Sequence, residues 1–202
     1  MKITAPTLSE LAAMKSCYLW TCAALAACAT NPVMAEKADR NKPMQIQADR
    51  LEVDDIKKIS VYSGNVILTK GTILLRADKL TVSEDAQGFQ MGLANGKPGQ
   101  LASFRQKREG VDQYVEGYGE RVDYNGKNET VRFSQKAQLR RLEKEKVTDQ
   151  ADGAVIIWDS RTEFFTVESG ITGQTVQNPN GRVKVTIQPK NQDDAAPVAP
   201  KK

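Results

Sequence analysis

Carboxylates are the side chains of this sequence that could do acid–base chemistry, and they form two clusters. Asp54 lies beside Asp55, and Glu143 is followed by Glu145. Hydrolysis of a glycosidic bond needs two carboxyl groups about 5–10 Å apart on either side of that bond. Adjacent residues of a strand point to opposite faces, so Asp54 and Asp55 cannot converge on one bond. The acids therefore do not predict a catalytic pair.

Histidine is absent from all 202 residues, which removes most other catalytic and metal sites. A Ser-His-Asp or Cys-His nucleophile cannot form, and neither can a metal site built on imidazole. The three cysteines, Cys17, Cys22 and Cys28, lie near the start of the chain, so thiolate zinc sites and disulfides are excluded from the remainder. The sequence predicts no enzyme activity, no metal and no cofactor.

The charged residues are mixed in sign along the whole chain. There are 29 Lys and Arg against 25 Asp and Glu, with a net charge of +4, and 40% of the residues are hydrophobic. A nucleic-acid-binding surface would gather basic residues on one face, with aromatic residues among them. This sequence has no such grouping, and its charges are typical of the solvated side of strands. No nucleic-acid partner is expected.

From Pro43 onward, apolar residues alternate with polar ones, which indicates β-strands with one buried face. A unit of a small residue, an acid, a basic residue and alternating apolar positions begins at Ala48 and again at Ala77. Weaker copies begin at Gly119 and Ala151. Recurrence at intervals of roughly 30 to 40 residues indicates stacked antiparallel hairpins. Such a stack has a continuous apolar interior and two open ends, which suits an elongated apolar ligand.

Glycine and asparagine predict the turns between these strands. Residues 63–65 (Ser-Gly-Asn) and 70–71 are predicted turns, and residues 84–99, which are rich in glycine, are a predicted loop or hairpin. Asn125-Gly126 is the strongest hairpin signal. Residues 140–146 fit either a helix or an exposed strand pair, and residues 182–188 form an isolated last strand. The overall prediction is an all-β protein.

The first 35 residues are typical of a cleavable signal peptide. An apolar run at residues 18–29 is too short to span a bilayer, and Val33 and Ala35 are suitable for cleavage before Glu36. Translation could also start at Met14, and Cys28 closes a lipobox-like sequence that would instead give a lipoprotein. We predict a signal peptide at 1–35, a β-domain at 36–188 and a disordered polar tail at 189–202.

Several segments carry a family resemblance, and together they span most of the predicted β-domain. They are residues 43–49, 62–72, 77–82, 101–106, 121–124 and 181–186. In this order they resemble the periplasmic lipopolysaccharide-transport proteins of the LptA/OstA type. The resemblance implies a twisted, half-open antiparallel β-jellyroll whose inner surface receives the acyl chains of lipopolysaccharide. It also implies that jellyrolls join head-to-tail, linking an inner-membrane extraction complex and its tethered jellyroll subunit to an outer-membrane insertion complex.

The positions that contact lipid in this family map onto Met44, Ile46, Phe104 and Tyr124. The alternative for each is ordinary core packing, so Phe104→Asp is expected to weaken lipopolysaccharide binding while the protein stays folded. If that variant unfolds, Phe104 belongs to the core. We expect Trp158 to pack in the core rather than to stack on a sugar ring of a ligand.

The last strand provides the predicted joint, at Arg182, Val183, Lys184 and Val185. Edge strands as regular as this one normally carry more protection against pairing. Removing residues 181–202 is therefore expected to give a folded monomer that still binds lipopolysaccharide.

Four basic residues could bind lipid phosphates at the rim of the groove or be plain surface charge: Arg40, Lys42, Arg76 and Lys79.

Two other identities of the protein remain open on the sequence. One is a membrane-tethered protein of the same pathway, or the periplasmic domain of an outer-membrane assembly factor. The other is a β-solenoid polysaccharide lyase or adhesin, which would show a stricter repeat.

Overall fold

The computed structural model describes residues 39–108 and 111–189, which form twelve β-strands and two short 3-10 turns, at Asp39–Asn41 and Ile171–Gly173. The strands are β1 (Met44–Gln47), β2 (Arg50–Asp54), β3 (Ile59–Lys70), β4 (Ile73–Glu84), β5 (Gln90–Asn95), β6 (Ala102–Lys107), β7 (Gln113–Gly119), β8 (Arg121–Asn125), β9 (Thr130–Glu143), β10 (Lys146–Asp159), β11 (Phe164–Glu168) and β12 (Lys184–Ile187). Within these ranges no helix is long and apolar enough to cross a membrane. The predicted signal peptide, its cleavage site and Cys28 lie outside the described residues.

Every strand pairing is antiparallel, so the all-β prediction is confirmed. The hydrogen-bonded sheet is continuous, but its long strands change partners halfway along. Residues 74–76 of β4 pair with β6, and residues 79–84 pair with β5. In the same way, residues 130–134 of β9 pair with β8, and residues 138–143 pair with β7. The long strands β3, β4, β9 and β10 therefore belong to two layers.

We name the layers by their first strands. The β1 layer contains β1, β6, β7 and β12, and the β2 layer contains β2, β5, β8 and β11, each completed by halves of the long strands. The inner faces of the two layers pack against each other. The ring of Phe104 in β6 lies 6.1 Å from that of Phe133 in β9 and 6.0 Å from that of Trp158 in β10, both edge-on. Trp158 is thus in the core, as expected.

The strands cross from one layer to the other along a fold line marked by bulges. In β3 the register shifts between Ser63 and Val66, where Gly64 and Asn65 have φ values of +79° and +47°. The predicted turn at residues 63–65 is therefore wrong: the segment is a bulge inside a single twelve-residue strand. A bulge and a turn both need left-handed backbone, so Gly-Asn signals either one. At Gly64 a Cβ atom would lie 2.3 Å from an oxygen of Asp49.

The acids of the recurring sequence unit all lie on this fold line, and each one binds a polar partner there. The pairs are Asp49 with Asn65 (2.9 Å), Asp78 with Lys97 (3.7 Å), Glu120 with Lys136 (2.6 Å) and Asp152 with Gln138 (2.6 Å). Before Glu120 the small residue is Gly119, where an added Cβ atom would lie 2.9 Å from the carbonyl oxygen of Ser134. The repeat therefore marks the places where the chain passes between the layers.

Three of the other predicted connections are hairpins in the structure. Asn125-Gly126 joins β8 to β9 as a hairpin, and residues 140–146 form the end of the β9–β10 hairpin rather than a helix. The region 84–99, predicted as a loop or hairpin, forms a hairpin: residues 85–89 turn between β4 and β5, and β5 also pairs with β8. Gly92 lies in β5 itself, where an added Cβ atom would lie 3.7 Å from Leu80 and Tyr124.

Candidate functional site

An open cavity of about 460 Å³ lies between the two layers where the first two strands form the edge. Met44 and Ile46 of β1 line one side, and Leu51 and Val53 of β2 line the other. Leu51 and Val53 are 53% and 56% exposed although they belong to the inward-facing row of their layer. Large apolar side chains left open between two layers form a surface that favours an apolar ligand. We call this cavity the mouth.

The mouth continues into a narrower cavity deeper between the layers. The two spaces share Met44, Val82 and Gln90, and the deeper one reaches Phe104 and Tyr124. It has a volume of only about 30 Å³, and its surface is entirely apolar. Side chains therefore fill most of the interior, and the apolar space widens toward the β1–β2 edge.

The structure brings the four predicted lipid-groove residues together on one apolar surface, at different depths. Met44 and Ile46 line the mouth, and Tyr124 is half-buried beside the deeper cavity. Phe104 points inward, but it is only 1% exposed and packs against two aromatic rings. A carboxylate at that depth would lose its hydration without a partner, so we now expect Phe104→Asp to unfold the protein. Lipid contact by these four residues stays a prediction.

Five apolar or aromatic residues of the mouth were not among the predicted site residues. They are Leu51, Val53, Ile59, Tyr62 and Val82. The signal was present, because Leu51 and Val53 follow the acid of the first recurring unit in the alternation typical of a strand. That alternation identifies an inward face but cannot show that β2 is an edge strand.

The mouth is bordered by the β1 layer on one side and by the β2 layer on the other, and we call these two borders its lips. The two lips differ in charge. On the β2 layer, Asp54, Asp55 and Glu84 line the cavity together with a single basic residue, Lys58. The pKa of Asp54 is lowered, first by the hydrogen bond from the backbone N–H of Lys57 and then by the Lys57 side chain, so this acid stays ionised. On the β1 layer, Lys70 lines the deeper cavity.

Two of the residues predicted for a phosphate-binding rim are far from the mouth. Arg76 and Lys79 lie in β4 on either side of the fold line, exposed and at positions that alternate with the buried Leu75 and Leu80. Alternation turns their side chains to the outer face, which favours the alternative that they are plain surface charge. Lys42 precedes β1 at the mouth end of its layer, and the side chain of Arg40 lies outside what the structure describes.

Toward the other edge the layers are joined by side chains. Arg108, after β6, forms an ion pair with Glu163, before β11. The guanidinium of Arg141 lies 5.0 Å from the ring of Phe165. Arg141 belongs to the β1 layer and Phe165 to the β2 layer, so both contacts cross the space between the layers. The interior is thus open at the β1–β2 edge and bridged further along.

The last strand forms the opposite edge of the β1 layer. Within the described part of the chain, β12 pairs with β10 alone. Lys184 and Val185 belong to it, whereas Arg182 and Val183 precede it. Val185 is 55% exposed and Ile187 is 73% exposed. One side of the strand therefore has unpaired backbone groups, and its use as a joint stays a prediction.

The remaining acids and tyrosines form structural contacts on the surface. Glu145 lies in the β9–β10 turn, 4.0 Å from Arg105, which also pairs with Glu116 at 2.8 Å. Burial, and then the hydrogen bond that its hydroxyl donates to Glu116, raises the pKa of Tyr118. Among residues 39–108 and 111–189, no group of three or more acids, cysteines or histidines could hold a metal ion.

Known proteins share this sequence and architecture. Residues 45–164 match the family model described as LptA/(LptD N-terminal domain) LPS transport protein. The lipopolysaccharide export system protein LptH of Pseudomonas aeruginosa is 28% identical over 170 residues, covering 82% of this chain and 90% of that protein. The lipopolysaccharide export system protein LptA of Haemophilus influenzae is 25% identical over 173 residues, covering 78% of this chain and 83% of that protein.

A solved structure supports the same assignment. The crystal structure of LptH, the LptA homologous periplasmic component of the lipopolysaccharide transport device of P. aeruginosa, aligns with a TM-score of 0.63 and 26% sequence identity. The alignment covers 75% of this chain and 99% of that one. The predicted β-jellyroll and the family resemblance are confirmed, and the family is one of transport proteins. The chain belongs to the LptA/LptD N-terminal domain family of lipopolysaccharide transport proteins.

Proposed function

We propose that this protein binds lipopolysaccharide in the periplasm and carries it from the inner membrane toward the outer membrane. The observation that carries the proposal is the mouth between the layers, where the apolar side chains of Met44, Ile46, Leu51 and Val53 line both inner walls. The relatives named for lipopolysaccharide export support the identity of the ligand. The work is binding and hand-over, which needs no catalytic group.

Acyl chains supply the driving force for binding at such a surface. Each CH₂ group removed from water contributes about 0.8 kcal/mol, without requiring a fixed orientation. Met44 suits this role because its flexible thioether side chain adapts to chains of different shape. Since the deeper cavity holds little more than a water molecule, longer acyl chains enter only as the layers separate or as the side chains between them move.

The strand edges support the proposed assembly. β1 and β2 form one edge of the folded sheet, and β11 and β12 form the other. An exposed edge pairs with a strand of another chain through its free backbone groups. Pairing between opposite edges is heterologous and does not close, so it produces an open row of jellyrolls. The partners would be further copies of this chain and the jellyroll domains of the inner- and outer-membrane complexes.

Binding to acylated and deacylated ligand tests the proposed function. Purified protein should retain lipopolysaccharide in a binding titration, and the sugar portion freed of its acyl chains should not compete. The expected difference is large because burial of the chains provides most of the free energy. Equal binding of the deacylated sugar, or no binding of lipopolysaccharide, would contradict the proposal.

Truncation after Arg182 tests the proposed joint. Removing residues 183–202 should leave a folded monomer that still binds lipopolysaccharide but does not form longer rows. The truncated protein keeps Arg182 because the carbonyl of that residue accepts a hydrogen bond of 2.6 Å from the side chain of Asn178, which is 7% exposed. Light scattering over a concentration series gives the measurement. Oligomers of the truncated protein that match those of the full chain would exclude β12 as the joint.

Export by a cleaved signal peptide is part of the proposal. We expect the mature protein to begin at Glu36 without lipid, because Val33 and Ala35 follow a short apolar run. The intact mass of protein isolated from the periplasm gives the answer. A mass corresponding to a lipidated Cys28 would instead assign the protein to a membrane surface.

A further inference from the structure

Lys70 is an unusual residue in the apolar cavity between the layers. It is the last residue of β3 and pairs with Met44 on one side and Ile73 on the other, which both line the same cavity. Because the cavity surface is entirely apolar, Lys70 contributes its methylene groups there. A lysine placed this way extends its ammonium group from the apolar surface toward water.

The ammonium group of Lys70 has no partner in the part of the chain that the structure describes. No carboxylate or other hydrogen-bond partner binds it among the described residues, and the same holds for the exposed Lys42 at this end of the layer. Asp39, an acid close to this lip, is buried, and its carboxylate accepts hydrogen bonds from Thr72 at 2.6 and 2.8 Å and from Gln106 at 3.3 Å. The β1-layer lip therefore presents positive charge that no described residue neutralises.

The opposite lip has the opposite character. Three of the four charged residues by which the β2 layer lines the mouth are acids: Asp54, Asp55 and Glu84. Lys57 forms an ion pair of 3.0 Å with Asp54, so Asp55 and Glu84 outweigh the one lining lysine, Lys58. An anion beside the acyl chains is repelled from this lip and attracted to the other. A difference in charge across a cleft orients a ligand even when it adds little affinity.

We propose that the mouth orients an acylated glycolipid, with a phosphate group of the lipid bound at Lys70 and Lys42 and its acyl chains between Met44 and Val82. The proposal rests on the proposed function, because it assumes that acyl chains occupy the mouth. Binding of acyl chains alone would need no lysine at this position, and the proposal gives Lys70 the role of binding the phosphate. The ligand class is a phosphorylated lipid, and the phosphate faces the β1 layer.

Substitution of Lys70 by methionine tests this assignment, because methionine keeps an apolar stem and removes the charge. We expect Lys70→Met to weaken binding of lipid A carrying its phosphates by about fivefold, the size typical of a partly exposed ion pair. Binding of the same lipid after removal of the phosphates should not change. Lys79→Met is the matched control, since Lys79 is exposed on the outer face of β4, and it should bind both lipids normally.

Three results would overturn the proposal. Equal losses with both lipids would mean that Lys70 acts through packing, and an equal loss in Lys79→Met would mean that net charge alone matters. If inorganic phosphate alone binds at Lys70 as tightly as the phosphorylated lipid does, the residue binds free phosphate and does not orient a lipid. Failure of the wild-type protein to bind either lipid would instead contradict the proposed function, so the two failures are distinguishable. Thermal unfolding checks that both variants are folded.

Discussion

Replacing Ile46 with aspartate should lower the affinity for lipopolysaccharide by about tenfold or more while leaving the β-structure intact. Ile46 is half-buried in an edge strand and lines the mouth, so a carboxylate there remains hydrated in the free protein. Acyl chains that enter the mouth would have to displace that hydration. A tenfold loss corresponds to about 1.4 kcal/mol, less than full burial of an isoleucine side chain contributes. A binding titration and a circular-dichroism spectrum provide the two readings.

The neighbouring residue provides the matched control for this variant. Gln45 lies in the same edge strand with its side chain on the exposed face. Gln45→Asp makes the same addition of charge to β1 without touching the mouth, so its affinity should stay close to that of the wild type. Equal losses from both variants would mean that β1 acts through its backbone edge or its charge, and not through the inner face.

Replacing Gly117 with alanine should destabilise the protein by about 3 kcal/mol, near the upper limit for overpacking a core. Gly117 lies in β7 directly under the ring of Phe133, and a Cβ atom there would lie 2.0 Å from the nearest ring carbon. Phe133 is fully buried between the layers and contacts Phe104, so the ring has little space to move. Urea unfolding of the two proteins measures the difference in the free energy of unfolding.

Gly92→Ala is the control for backbone and propensity effects. Gly92 also lies in a strand on the inner surface, but the nearest atoms to an added Cβ are 3.7 Å away. Alanine at a strand position with room for its Cβ is expected to increase stability by about 0.4–1 kcal/mol, because it lowers the conformational entropy of the unfolded chain. Equal destabilisation by the two substitutions would show that the Gly117–Phe133 contact does not hold the layers at this spacing.

Sequence alternation predicted the inward faces because a strand fixes side-chain direction with a period of two. It therefore gave the inward direction of Met44, Ile46, Phe104 and Tyr124, whereas their grouping as lipid-contacting positions is what the family resemblance implied. It could not separate Ile46 at the mouth from Phe104 in the core. That difference depends on which strands are edges, and the edge position of β1 arises from its pairing with residues 67–70 of β3.

The recurring acidic unit was visible in the sequence, but its meaning was not. Asp49 and Asp78 lie where the chain passes between the layers, and each interacts with a partner distant in sequence. Local sequence also could not distinguish a bulge from a turn at Gly64-Asn65. In both structures the backbone is left-handed, and only the continuation of pairing from Val66 to Lys70 identifies a single strand.

The central claim is that lipopolysaccharide occupies the inner surface at the β1–β2 edge, and site-specific photocrosslinking in living cells tests it most directly. A photoreactive residue is placed at Met44 or Val53, which face the mouth, and in parallel at Gln45 or Glu52, which lie beside them on the exposed face. Lipopolysaccharide should be captured from Met44 and Val53 and not from Gln45 and Glu52. Equal capture from both faces, or capture from the exposed face alone, would contradict the account.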